Sequence, residues 1–101
     1  MVKIVVFVPE THADKVRQAI GNAGAGKIGN YSHCTFSSKG KGRFLPLSDS
    51  NPTIGQVGRL EIVDEERIEF VCRKKDLDKI VKAMKEAHPY EEVAFDVYPL
   101  L

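Results

Sequence analysis

The segment from His88 to Glu92 carries the residues best suited to chemistry, in the order His-Pro-Tyr-Glu-Glu. One imidazole and two carboxylates this close together can bind a divalent cation or transfer protons. The same segment can be structural, because a histidine at a helix end is stabilised by the helix dipole. Both interpretations stay open, and the residues themselves favour the structural one.

A second candidate set combines His33 and Cys34 with the distant Cys72 and His88. Imidazole and thiolate are ligands for zinc or copper. Alternation along a predicted strand, however, places His33 and Cys34 on opposite faces, so both cannot easily bind one ion. Free cysteine usually packs as a small hydrophobic residue. We therefore predict that Cys34 and Cys72 are buried structural thiols.

A basic, glycine-containing stretch holds Lys39, Lys41 and Arg43, separated by single glycines. It predicts a turn at residues 40–42 and a small basic hairpin tip. Such a tip can contact an anion or a phosphate. A solvated loop is the simpler explanation, since loop tips are usually exposed and polar.

Residues 24–29 match the GxGxxG pattern of dinucleotide-binding loops. That site needs a strand before the loop and a helix N-terminus after it, so that the helix dipole points at the phosphates. Here a predicted helix precedes and a predicted strand follows. The glycines therefore predict a turn that ends a helix.

Two amphipathic stretches predict the helices that position these groups, over residues 11–23 and 76–87, with Thr11 and Asp76 as the expected caps. Strands are predicted from apolar or alternating runs. They cover residues 2–8, 32–38, 67–73 and 93–98, with shorter candidates at 43–45 and 60–63. Residues 48–55 predict a loop, and the acidic run 64–66 is expected to be exposed.

The order strand, helix, strand, strand, helix, strand is that of the split βαβ, ferredoxin-like sandwich, an α+β fold with both helices on one sheet face. The irregular segment Lys27 to Asp64 then forms an extended hairpin insertion between the middle strands. A chain of 101 residues fits one domain, residues 1–101.

Composition excludes several function classes. Hydrophobic residues at 43% and charged residues at 29% suit a soluble folded domain. A formal net charge of +1 gives no support to nucleic-acid binding. The apolar N-terminal run is short and carries Lys3, which argues against a secretory signal or a membrane partner. We expect a cytoplasmic protein with reduced thiols.

An ordered series of motifs extends over nearly the whole chain. The motifs are residues 24–36 (GAGKIGNYSHCTF), 40–44 (GKGRF), 51–52 (NP), Gly55, 59–61 (RLE), 64–69 (DEERIE) and 88–96 (HPYEEVAFD). Together they resemble the domain inserted in the middle of the bacterial YqfO-type proteins of the NIF-like dinuclear-metal family. The His-Pro-Tyr-Glu run is also similar to that of the CutA divalent-cation-tolerance proteins. Both resemblances imply a PII/CutA-like, ferredoxin-type fold that usually forms trimers.

The resemblance also implies what this chain lacks. The two metal ions of the NIF-like family are bound by His, Asp and Glu of the two lobes that flank the insert. Those lobes are absent from these 101 residues, so no ligand of that site is assigned here. Phe95 stands where the family often has tyrosine, so this chain has no hydroxyl group at that position.

We therefore expect a stand-alone, non-catalytic PII/CutA-like module without a cofactor, with a regulatory or small-ligand-binding role. It is expected to form a homotrimer through apolar residues of the insertion, with ligand sites in the clefts between subunits. The candidate ligand-binding residues are His33, Lys41, Arg43, His88, Tyr90, Glu91 and Glu92. The residues expected to pack between subunits are Phe36, Phe44, Leu45, Leu60 and Ile62.

Two alternatives remain. One is a CutA-like protein that binds a divalent metal ion through His33, His88 and Glu91. The other is a detached accessory domain of a dinuclear-metal, hydrolase-like protein, functional only beside such lobes on another chain.

Overall fold

Two helices lie on one face of a four-stranded antiparallel sheet in the computed structural model, which describes all residues, 1–101. The sheet order is β2-β3-β1-β4. This arrangement is the expected ferredoxin-like α+β fold. The elements are β1 (Val2–Pro9), α1 (Glu10–Asn22), β2 (Phe36–Phe44), β3 (Glu61–Cys72), a short 3₁₀ turn (Lys74–Asp76), α2 (Leu77–Ala87) and β4 (Phe95–Pro99).

A single hydrophobic core lies between the sheet and the helices. Alternate residues of β1 and β3 point into it, because successive side chains of a strand face opposite sides. Each fully buried aliphatic side chain stabilises the fold by roughly 1.5–3 kcal/mol relative to exposure. The strands contribute Val2, Ile4, Val6, Val8, Ile68, Phe70 and Cys72, and the helices Ala13, Val16, Ile20, Ile80, Met84 and Ala87.

The helix bounds match the predicted bounds to within one residue. Asp76 occupies the N-cap position of α2, as predicted, whereas Thr11 lies inside α1, and neither side chain makes a capping hydrogen bond. Helix α1 begins directly after Pro9, and the Thr11 hydroxyl is hydrogen-bonded to its neighbour His12 at 2.9 Å. Asp76 precedes α2 without a side-chain capping bond. Its carboxylate accepts a hydrogen bond from Arg73 at 2.9 Å. In both cases a neighbouring side chain engages the group that would have capped the helix.

The insertion is an extended hairpin, as predicted. The prediction of a turn at residues 40–42 is wrong. Gly40 and Gly42 lie inside β2, where they pair with Glu65 and Val63 of β3. Strand β3 runs unbroken for 12 residues through the acidic segment 64–66. The chain reverses instead over residues 45–60. Pairing along the whole ladder therefore outweighs the local turn preference of glycine.

The glycine-rich stretch after α1 is a helix-ending turn, as predicted. Gly24 and Gly26 have φ values of 109° and 71°, which glycine adopts without steric cost. The Gly26 amide then donates to the Val71 carbonyl at 2.8 Å. The strand predicted over residues 32–38 is wrong in its first half, because β2 begins at Phe36 and His33 has a φ of 61°.

The other predicted strands agree with the structure. Residues 2–8 lie in β1, and residues 67–72 form the second half of β3. Strand β4 begins two residues later than predicted, at Phe95. The molecule measures 46 × 24 × 23 Å. Neither helix has the length and apolar character needed to span a lipid bilayer.

Candidate ligand-binding cavity

A cavity of about 620 Å³ lies between the end of β2, the following loop and the segment that leads into β4. Its size falls within the usual range for small-molecule sites. The apolar part of its lining comes from Phe7, Phe44, Leu45, Pro46, Leu47, Pro52, Ile54 and Ala94. The charged and hydroxyl-bearing part comes from Lys41, Arg43, Ser50, Thr53, Glu65, Tyr90, Glu91 and Glu92.

Five of the seven predicted ligand-binding residues line this cavity together: Lys41, Arg43, Tyr90, Glu91 and Glu92. Two hydrogen bonds join the loop after β2 to the segment after α2. The Asn51 amide donates to Glu91 Oε1 at 2.8 Å, and the Thr53 hydroxyl donates to the Pro89 carbonyl at 2.7 Å. The basic and acidic motifs, about 50 residues apart in the chain, therefore line one cavity.

His88 lies beneath the cavity with both ring nitrogens engaged by the backbone. The Tyr90 amide donates to His88 Nδ1 at 3.1 Å, so the proton of the neutral ring is on Nε2. Nε2 donates in turn to the Phe7 carbonyl at 2.7 Å. Burial lowers the pKa of His88 below its ordinary value, outweighing the bond to Phe7. His88 lies at the C-cap of α2, as predicted, and hydrogen bonds to the backbone hold its ring there.

Tyr90 is hydrogen-bonded to His88 through its amide and to Glu65 through its hydroxyl. The sequence did not indicate Glu65 as a site residue. The Tyr90 hydroxyl donates to Glu65 Oε2 at 3.3 Å. Burial, together with the nearby Glu65 charge, raises the pKa of Tyr90 to about 12. Burial also raises the pKa of Glu65, and the bond from Tyr90 only partly opposes this effect. The Phe44 ring packs edge-on against Tyr90, with ring centroids 5.7 Å apart.

The acidic run 64–66 was expected to be exposed, and it is divided among three environments. Asp64 is exposed and forms an ion pair with Lys41. Glu65 is half-buried in the cavity. Glu66 points to the helix face, where Arg17 of α1 donates to its carboxylate at 2.6 Å. The expectation is therefore correct only for Asp64, because Glu65 lines the cavity and Arg17 partly covers Glu66.

His33 lies away from the cavity, at the C-terminal end of α1. Its ring packs on Gly21, and Nε2 is 3.0 Å from Asn22 Oδ1. His33, His88 and Glu91 are therefore not brought together within one chain. The structure contains no group of three or more His, Cys, Asp and Glu side chains placed to hold a metal ion.

The two thiols differ from each other. Cys72 is 3% exposed and belongs to the core, as predicted. The prediction of a buried Cys34 is wrong: this residue is half-buried and free. The physical reason is that residues 32–35 form an irregular segment outside the sheet, where strand alternation does not apply.

The fold and its solved neighbours define a PII/CutA-like domain. The structure superposes on the periplasmic divalent cation tolerance protein CutA from Archaeoglobus fulgidus with a TM-score of 0.68 and 15% identity, over 99% of this chain and 84% of that one. The PII-like protein CutA from a Nostoc species gives a TM-score of 0.70 and 14% identity, over 99% and 81%. At this level of identity the likeness establishes the fold alone.

Closer relatives share the sequence as well. The chain is 57% identical over 98 residues to the GTP cyclohydrolase 1 type 2 homolog of Halalkalibacterium halodurans, and 53% identical over 98 residues to that of Bacillus subtilis. These matches cover 97% of this chain. A Bacillus cereus protein related to NIF3 gives a TM-score of 0.85 and 57% identity, over 98% of this chain and 25% of that one.

The chain spans about a quarter of the curated relatives that it matches, 26% of each of the first two. It is therefore similar to one segment of the NIF3-related proteins, and this segment carries the PII/CutA-like fold. No protein-family model matches the chain.

Proposed function

We propose that this chain is a non-catalytic, self-associating PII/CutA-like module that binds a small ligand in the cavity between residues 41–54 and 90–94. One observation carries the proposal. Five residues from two distant motifs line a single cavity that has mainly apolar walls and a few convergent polar groups. That combination is typical of small-molecule sites.

Binding is better supported than proton transfer. Both nitrogens of His88 hold the backbone, through Phe7 and Tyr90, so this imidazole is not available to exchange a proton with a ligand. With its pKa raised to about 12, Tyr90 keeps its proton at neutral pH and serves as a hydrogen-bond donor. A general acid or base needs a pKa near the working pH, and a pKa of about 12 places Tyr90 well above that range.

Exposed apolar residues on the hairpin support self-association. Phe36 is 70% exposed, Leu60 63% and Ile62 53%. Strands β2 and β4 are sheet edges whose outer backbone groups can pair with another chain. A closed trimer, the state implied by the PII and CutA resemblance, would cover these groups around one symmetry axis. A subunit cleft beside the cavity would then complete the ligand site.

The high identity to one segment of longer proteins favours a second candidate, an accessory domain that acts beside the rest of such a protein. Calorimetry with the flanking segments of the Halalkalibacterium halodurans relative, produced without its matching quarter, tests this role. Saturable binding supports it, and the absence of heat favours a module that acts without them.

The divalent-metal alternative has less support, because His33 lies apart from His88 and Glu91. A cytoplasmic location stays part of the proposal.

A thermal-shift screen tests the ligand site. Ser50 lines the cavity, whereas Ser48 is exposed on the same loop and does not. Ser50→Trp should fill the cavity, and Ser48→Trp is the matched control. We expect aromatic and heterocyclic compounds that raise Tm for the parent and for Ser48→Trp to lose that effect in Ser50→Trp. Equal effects on all three proteins would place binding elsewhere and contradict the proposed site.

A further inference from the structure

Glu65 is a half-buried carboxylate without a cationic partner. The eight ion pairs of the structure do not include it, and the only side chain that donates to it is the neutral Tyr90 hydroxyl. Removing a carboxylate from water without a counter-charge is costly. A cation that entered the cavity would restore the missing interaction.

The sheet holds Glu65 against the aromatic part of the cavity. In β3, Glu65 lies on the same face as Arg67, which pairs with Phe7 of β1. Across β2, Gly42 leaves open the space that the carboxylate fills, since a Cβ at position 42 would collide with it. The rings of Phe7, Phe44 and Tyr90 line the same cavity. A carboxylate is thus fixed beside aromatic surface.

The remaining charges of the cavity favour a cation over an anion. Three carboxylates line it: Glu65, Glu91 and Glu92. Of the two basic residues, Lys41 is already paired with Asp64, which leaves Arg43 without an ion pair. The lining charge, with Asp64 included, is therefore negative.

We propose that the cavity binds an organic cation with an aromatic body, whose amidinium or ammonium group pairs with Glu65 and whose body packs against Phe7, Phe44 and Tyr90. This inference rests on the ligand site proposed above. A charged donor on a carboxylate forms a stronger hydrogen bond than a neutral donor does. The aromatic rings contribute further, because their faces attract cations.

Benzamidine, benzamide and benzoate are matched probes, since they share the phenyl ring and carry a positive, neutral and negative group. Binding to the parent chain is followed by amide chemical shifts and by calorimetry. We expect benzamidine to bind at least tenfold more tightly than benzamide and to shift the amides of Glu65, Tyr90 and Phe7. Benzoate should bind more weakly than benzamide.

Two variants locate the contact. Glu65→Gln keeps the shape and an acceptor for Tyr90 but removes the charge, and should reduce benzamidine affinity at least tenfold. Glu86→Gln, on the exposed face of α2, removes the same charge elsewhere and should leave the affinity unchanged. Amide dispersion shows whether each variant is folded, and the comparison of the three probes on the parent chain stands independently of both.

The outcomes separate this inference from the ligand site itself. Tighter binding of benzoate than of benzamidine in the cavity, lost in Arg43→Gln, would overturn the cation and leave the ligand site standing. Equal affinity for benzamidine and benzamide would also overturn the role of the charge. If no probe shifts the cavity amides, the inference fails, and the screen with Ser50→Trp then decides whether the ligand site survives.

Discussion

Gly42 lies directly against the Glu65 carboxylate, which occupies the space that a side chain at position 42 would need. The two residues are on adjacent strands, so the absence of one Cβ allows Glu65 to reach the Tyr90 hydroxyl. A glycine that appears in the sequence as part of a turn thus positions a carboxylate.

The first prediction follows from this contact. Gly42→Ala should displace Glu65 and separate it from Tyr90, so the pKa of Tyr90 should fall from about 12 towards the ordinary value of 10.0. Spectroscopic titration of the tyrosines measures the change. Gly40→Ala is the control, because open space surrounds position 40. An unchanged Tyr90 titration in Gly42→Ala would contradict the proposed contact.

The second prediction concerns acid stability. The folded-state pKa of His88 is lowered, so the folded protein disfavours the proton that the unfolded chain accepts. The contribution of neutral His88 to the free energy of unfolding is fully present above pH 6.5, the ordinary pKa of histidine. It is lost as the pH falls through the lower pKa that His88 has in the folded protein. Urea unfolding at a series of pH values should show stability falling below pH 6.5.

His88→Gln should remove that part of the pH dependence. It should also cost about 1–2 kcal/mol at neutral pH, since the bonds to Phe7 and Tyr90 are imperfectly replaced. His33→Gln is the control, because His33 is exposed and does not line the cavity. If the stability of His88→Gln depends on pH as strongly as that of the parent, the loss of stability in acid comes from groups other than His88.

The third prediction tests the placement of α2. Ile80 is fully buried between the helix and the sheet, so Ile80→Asp should lose several kcal/mol of stability, which is the typical cost of an unpaired buried charge. Circular dichroism melting and binding of a hydrophobic dye measure the loss. Lys82→Asp, at an exposed position of the same helix, should melt within a few degrees of the parent. Unchanged melting of Ile80→Asp would refute the helix placement.

The fourth prediction concerns assembly. Light scattering should give about 34 kDa for a closed trimer, three times the chain mass of 11.2 kDa. Leu60→Asp combined with Ile62→Asp should reduce this mass to that of the monomer, because the charges enter the proposed apolar contact. Gln56→Asp combined with Arg59→Asp adds charge at exposed polar positions nearby and should leave the mass unchanged. A monodisperse monomer of the parent at micromolar concentration would refute the trimer.

Residues that belong to strongly periodic segments are predictable from the sequence. The stripe that contains Ile80 and Met84 defines α2 to within one residue, and the apolar run from Val2 to Val8 defines β1. Local periodicity suffices there because it reflects burial of one face. His33 shows where this reasoning fails, since its segment has the alternation of a strand but lies outside the sheet.

The candidate site is predictable in part. Lys41, Arg43 and the run from Tyr90 to Glu92 carry the chemistry that the sequence displays, and they meet in one cavity. Glu65 could not be identified as a site residue from the sequence, because a glutamate in an acidic run is ordinarily solvated. His88 stands out in the sequence, but its structural role depends on a hydrogen bond to the carbonyl of Phe7, which lies 81 residues earlier in the chain.

The sequence by itself determined the order of elements, the two helix stripes, the ferredoxin-like class and the residue types available for binding, because these depend on local periodicity and composition. The tertiary structure alone decided that residues 40–42 form a strand, that His88 supports the backbone, and that Glu65 enters a cavity with Tyr90. These outcomes depend on cross-strand register and on burial, which arise only when segments distant in the chain pack together.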